Sequence, residues 1–398
     1  MSLQIKARLT QLENFARVRD YAGYDPYDAL NSPILRILSM GTKWGRVACT
    51  QALKRCPVNF RPLLGIRPGQ NPKGLGLFLE GYARLHRLEP RDEYFERASH
   101  LIRRLAAQCS LTKSGHGWGY NFGWQSRAFF LPRFTPTVVC SSFVGHALLD
   151  AAQVFGIEDA YCLAVPIGQF ILHDLNRTKD GDCFCFSYSA LDHYAVHNAS
   201  LLGASLLIRL HRLTGATELR DAALAALAYS MKHQRADGSW HYSERVGSQW
   251  IDSFHTGFNL EAIRRFLAAG EAAEYQTAYN RGAEFYADQF FEADGTPKYY
   301  QHRTYPIDTH AAAEAITFFS DEGERYIELR DRILEWTIRN LFDQRGFFVY
   351  QKGARFTNRI PYMRWAQAWM FRALTAHLSP LATEFPADQH TTATTLQG

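Results

Sequence analysis

The chain of 398 residues carries 44 basic and 39 acidic side chains, a formal charge of +5 with the signs interspersed, which argues against a nucleic-acid binder. Hydrophobic residues at 46% and charged residues at 21% are an ordinary globular balance, so the 14% aromatic share is the feature to place. Seven cysteines, at Cys49, Cys56, Cys109, Cys140, Cys162, Cys183 and Cys185, lack CxxC spacing, which speaks against a zinc module and fits a reducing compartment.

In chain order, residues 1–32 read as an N-terminal extension without an apolar leader, so a cytoplasmic location is expected. No run of eighteen apolar residues predicts a membrane span. The mildly basic stretch from Lys6 to Lys73 is compatible with an anionic substrate or a peripheral membrane contact, though a solvated face is the commoner explanation. From there two kinds of helix alternate. Amphipathic segments near 33–55, 91–108, 158–175, 217–234, 273–291 and 323–341 have one polar face, as outer helices require. Segments near 72–88, 136–155, 197–214, 252–269, 307–320 and 362–378 are apolar or small nearly all round, as helices buried on both sides must be. Six such hairpins predict an all-α, (α/α)6 toroid over 33–378 with short strands in its loops. Pro166 marks a kink or restart in the third outer helix, and the polar tail 379–398 is expected to be disordered.

Gly156, Gly215 and Gly270 sit where short inner-to-outer connections need a left-handed helix cap, so the long connections all gather over the inner-helix N-termini. Several of these loops repeat a glycine followed by aromatics, as in Gly117, Trp118, Tyr120 and Gly238, Trp240, Tyr242. Converging helix N-termini favour an anion. The residues placed there are Trp118, Tyr120, Asn121, Trp124, Gln125, Arg127, His193, Tyr194, His197, Asn198, Trp250, Tyr305, Arg359, Tyr362, Arg364 and Trp365. Tryptophans can stack on sugar rings, and Arg127, Arg359 and Arg364 can grip a carboxylate or phosphate with two parallel hydrogen bonds. Asp252 with His255 and Asp308 with His310 recur at equivalent places on consecutive inner helices, an arrangement suited to acid–base catalysis. Helix capping accounts for either aspartate taken singly. His193 and His197 lack a third ligand of recognisable spacing, so no metal and no cofactor is called.

The six-hairpin plan and its aromatic mouth resemble the six-hairpin sugar enzymes, which include N-acylglucosamine 2-epimerases, unsaturated glucuronyl hydrolases and glucuronyl C5-epimerases. The segment from His255 to Ile263, HTGFNLEAI, is similar to a histidine-containing inner helix of the 2-epimerases. The resemblance implies an epimerase, hydrolase or lyase whose partner is an acidic oligosaccharide or sugar phosphate, of the kind met in bacterial surface-polysaccharide metabolism. Two other readings stay open. Gln234, Gly238 and Trp240 match one QW motif of terpenoid cyclases and prenyltransferases, although Asp180-Gly181-Asp182-Cys183 departs from their DxDD motif. A noncatalytic glycan-binding protein would use the same aromatic mouth.

Overall fold

The computed structural model describes residues 2–380. Its helices, in chain order, are α1 (Ser2–Arg17), α2 (Pro33–Leu38), α3 (Lys43–Arg55), α4 (Pro72–Leu88), α5 (Asp92–Ala106), α6 (Val138–Phe155), α7 (Glu158–Ala164) and α8 (Pro166–Gln169). They continue as α9 (His197–Thr214), α10 (Thr217–Lys232), α11 (Ser253–Ala268), α12 (Gln276–Gln289), α13 (Thr309–Asp321), α14 (Ile327–Leu341) and α15 (Trp369–Leu378). Helices α4, α6, α9, α11, α13 and α15 each pack on the next, and α15 returns to α4, which closes the inner ring. Helices α5, α7 with α8, α10, α12 and α14 lie outside it, each against the inner helix that precedes or follows it in the chain. Strands are short and lie in the loops, mostly as pairs such as Arg177–Asp180 with Cys183–Phe186, with one three-stranded sheet in which Gln351–Lys352 lies between Thr357–Asn358 and Ile307–Asp308.

Local chemistry sets these boundaries. Asn71, Thr137, Asp252 and Asp308 cap α4, α6, α11 and α13 by accepting backbone N–H bonds. Gly156 and Gly215 end α6 and α9 in the left-handed conformation at φ 67° and 73°. Pro166 restarts the third outer helix, because its ring cannot continue the hydrogen-bond ladder of α7. Helix α6 is long and apolar enough to cross a bilayer by composition, but its window is 78% buried within the ring. Small residues bring the inner helices close: a Cβ on Gly257 of α11 would lie 2.6 Å from Cγ of Glu314 on α13.

The first outer place is filled differently from the sequence expectation. Residues 33–55 form no outer helix; they are broken into α2 and α3, which pack on each other and on the turn Asp28–Asn31. The outer position is taken by α1, within the stretch expected to be an extension, and α1 packs on α15. Ile5, Leu9, Leu12, Phe15 and Ala16 supply its buried stripe at helical spacing. The tail expected to be disordered lies, apart from Ser379 and Pro380, outside the described residues.

A buried charge network occupies the ring interior. Arg372 of α15 makes contacts of 2.8 Å to Glu80 of α4 and 3.0 Å to Glu261 of α11, and lies 3.5 Å from Glu314 of α13. Arg84 continues it to Asp321 at 2.9 Å. Burial and the charge of Glu261 push the Glu314 carboxyl well above the usual range, whereas Arg372 holds Glu261 ionised below it. One guanidinium thus ties four of the six inner helices together.

Candidate active site

The long loops gather over the inner-helix N-termini, and the 18–71 insert between α1 and α4 lies across them. Asp25 of the insert receives two hydrogen bonds from Arg364, at 2.6 and 2.8 Å. Tyr27 packs on Trp365 at 5.4 Å between ring centroids, and Lys54 of α3 donates to the Tyr27 hydroxyl at 2.6 Å. On opposite flanks, Asn31 donates to the Asn121 carbonyl and Asn358 to the Cys56 carbonyl. The mouth is therefore roofed.

Beneath the roof, the two aspartate–histidine pairs differ. Asp252 caps α11 through one oxygen, while the other accepts from Trp250 Nε1 at 3.1 Å and meets His255 Nδ1 at 2.7 Å. That contact sets the tautomer with the proton on Nδ1 and leaves Nε2 as an acceptor. Asn198, Trp250, Asp252, His255, Thr256 and Asn259 line one recess beside this dyad. Asp308 also caps its helix, but it reaches only the backbone N–H of His310 and otherwise accepts from Trp365 Nε1 at 2.9 Å and from Gln351. Burial raises its carboxyl pKa. The expected second dyad is thus a capped structural carboxyl beside an independent imidazole.

His310 is sandwiched between Trp369, at 4.2 Å and 27°, and Phe254, at 4.5 Å and 19°. Neither of its ring nitrogens finds a hydrogen-bond partner among the described residues. Burial, with Lys73 and Arg364 nearby, pushes its pKa well down and keeps it neutral. His255 packs against the same Phe254 ring at 4.2 Å, so the two imidazoles share one aromatic neighbour. Asn198 Oδ1, Asn259 Oδ1, Tyr350 Oη and Trp369 Nε1 are likewise buried polar atoms without a partner among the described residues. Such atoms are costly unless they serve a ligand or water.

Lys73, two residues into α4, is the group that sequence reading passed over. Its Nζ stands over the Phe143, Trp369 and Phe258 rings at 4.1, 4.9 and 5.1 Å from their centroids, with no ion-pair partner among the described residues. Desolvation, then Arg364, pushes its pKa well below the lysine value. As pH falls from the unfolded lysine range near 10.5, the unfolded chain takes up a proton that the fold refuses, so stability is lost. Lys73→Met is expected to hold or raise the melting temperature at neutral pH and to flatten its climb toward alkaline pH, while lowering turnover. Differential scanning at several pH values beside an activity assay checks both.

The remaining expected residues divide sharply. Trp118 is fully buried and donates to the Leu105 carbonyl at 2.8 Å, as Trp240 does to Ser230 at 2.9 Å; both plug an outer helix instead of lining the mouth. Gln125 braces its own hairpin through the Ser126 and Phe129 carbonyls. His197 faces outward to Ser230 and Glu244, whereas His193 is exposed in an irregular loop, so the two share no helical face. Arg364 is held by Asp25, and Arg359 pairs with Asp343 at 3.0 Å. Tyr362 is buried against Tyr350 and below Arg61. Tyr120, Trp124 and Tyr188 form an aromatic wall, with Asn121 held by Asn71; Trp250 stacks on Tyr242 at 4.5 Å. Tyr194 meets Ser248, and Arg127 and Tyr305 are exposed.

This ring of six hairpins with its roofed mouth has the (α/α)6 fold of glycan-acting enzymes. The chain is similar to the cellobiose 2-epimerase of Bacillus thermoamylovorans B4167, with a TM-score of 0.61 and 13% identity over 78% of this chain and 87% of that one. It is similar also to the GH76 alpha-mannanase BT2949 of Bacteroides thetaiotaomicron, with a TM-score of 0.59 and 13% identity over 77% and 86% of the two chains. An unsaturated glucuronyl hydrolase specific for heparin matches with a TM-score of 0.56 and 14% identity over 78% and 87%. No family model and no curated protein sequence matches the chain.

Proposed function

We propose that the chain is a carbohydrate-active enzyme that moves a proton at a sugar carbon, as an epimerase or isomerase does, on an acidic glycan or glycan precursor. The Asp252–His255 dyad carries this reading, with neutral His310 against the same phenylalanine as the second acid–base group. Glycoside hydrolysis commonly uses two carboxylates across the scissile bond, and here Asp308 is fully engaged in capping and in bonds to Trp365 and Gln351. The preference for negative charge is drawn from the converging helix N-termini, since Arg359 and Arg364 already have carboxylate partners and burial holds Lys73 toward its neutral form. Bacterial surface polysaccharides and their precursors are one source of such substrates.

The test is solvent exchange. Reducing disaccharides, uronic-acid oligosaccharides and nucleotide sugars are incubated with the protein in D2O and followed by NMR. Incorporation of deuterium at a sugar carbon, lost in His255→Gln, is the expected result. Release of new reducing ends without exchange would establish a hydrolase, and turnover of a prenyl diphosphate would establish the cyclase alternative.

A further inference from the structure

The roof has an outer surface that acid–base chemistry does not explain. Ile34, Ile37, Leu38, Met40, Trp44, Val58, Phe60 and Leu63 are all exposed large apolar side chains, and all lie between residues 33 and 63. Ile37, Met40, Trp44 and Leu63 are 77%, 79%, 67% and 78% exposed. A soluble protein rarely gathers so many on one segment. The segment is held by a small core of its own, Ala29, Leu53 and Ile66, so these residues are surplus to its packing. Between α2 and α3 the chain turns through left-handed Met40 and Gly41, at φ 50° and 65°, which sets Met40 at the tip of a tight loop between Leu38 and Trp44.

Charge identifies what covers this surface. From Ala29 to Leu79 the sequence contains no aspartate or glutamate, whereas Arg36, Lys43, Arg46, Lys54, Arg55, Arg61, Arg67 and Lys73 are all basic. Arg61 is buried on Asp28, Lys54 is turned to Tyr27 and Lys73 is inside the ring. Arg36, Lys43, Arg55 and Arg67 are exposed on the same segment, Lys43 over the Trp44 ring at 5.2 Å, and Arg46 lies over the Phe130 ring at 4.2 Å. Exposed apolar side chains with a tryptophan among them, on a segment that carries cations and no anion along its sequence, form the pattern of an interfacial membrane element.

We propose that the 33–67 segment docks the protein on an anionic lipid surface, with Ile37, Leu38, Met40 and Trp44 entering the headgroup boundary and Lys43, Arg36, Arg46, Arg55 and Arg67 meeting lipid phosphates and carboxylates. The roof of the mouth then faces the bilayer. This assignment is independent of the catalytic reading.

Sedimentation of the full chain with vesicles tests it. Vesicles of phosphatidylcholine alone are compared with phosphatidylcholine containing about 30 mol% phosphatidylglycerol, at ionic strengths of about 0.1 and 0.5 M, where screening differs strongly. Binding to the anionic vesicles at the lower salt, weakened at the higher, is expected. Lys43→Glu with Arg46→Glu, and separately Ile37→Ser with Leu38→Ser and Trp44→Ser, should each cut the partition coefficient roughly tenfold or more while the circular dichroism melt is unchanged. Absence of binding to the anionic vesicles, or binding unaffected by the triple serine variant, would overturn the proposal. So would self-association of the wild type that the triple variant abolishes, since a second copy would then cover the surface.

Discussion

Asp252→Asn is expected to lower turnover by roughly 10²-fold or more with little change in melting temperature, once a substrate is in hand. Asparagine caps a helix about as well as aspartate, so α11 keeps its start. What it loses is the negative charge at 2.7 Å from His255 Nδ1, which fixes the tautomer and stabilises the imidazolium formed when Nε2 takes a proton. His255→Gln should fall at least as far. Asp308→Asn is the control, because Asp308 touches His310 only through the backbone; its turnover should stay within a few-fold of wild type. Equal losses in Asp252→Asn and Asp308→Asn would contradict this division of roles.

Arg372→Met should produce the largest loss of stability, about 3–5 kcal/mol, because it leaves the Glu261 carboxylate buried without its ion-pair partner and Glu80 with Arg84 alone. The methionine fills most of the volume, so the loss is electrostatic and not a cavity. Adding Glu80→Gln and Glu261→Gln to Arg372→Met is therefore expected to recover much of it, since a neutral interior costs less than an unpaired charged one. Urea unfolding followed by circular dichroism reads both steps. A single variant as stable as wild type would show that the network is not needed to hold the ring.

The inner ring was legible because helices such as His197–Thr214 are small and apolar on every side, a composition with few other uses. Helix α1 was not, because its buried stripe of Ile5, Leu9, Leu12 and Phe15 is interrupted by a predominantly polar surface. The tryptophans show where composition runs out. Trp118 directly follows Gly117, Trp240 lies two residues beyond the Gly238 turn, and both plug outer helices, whereas Trp250 stands two residues before the α11 cap and so reaches Asp252. Position relative to the cap, not residue type, separates wall from site. Lys73 was hidden in a stretch whose other cations are mostly external, and only its place at the start of an inner helix set it apart.

The packing of α1 on α15 also governs how the chain reaches its native state. The partners are separated by some 350 positions, as shown by Ser2–Arg17 and Trp369–Leu378, and α15 must also meet α4 to complete the circle. During synthesis, α1 and the exposed flank of α4 wait for a surface that is translated roughly 300 residues or more after them. The growing chain is an open arc with two uncovered apolar edges until then, and contacts of such sequence separation are slow to form. Arrival of α15, and not the accumulation of hairpins one by one, is the event that closes the ring.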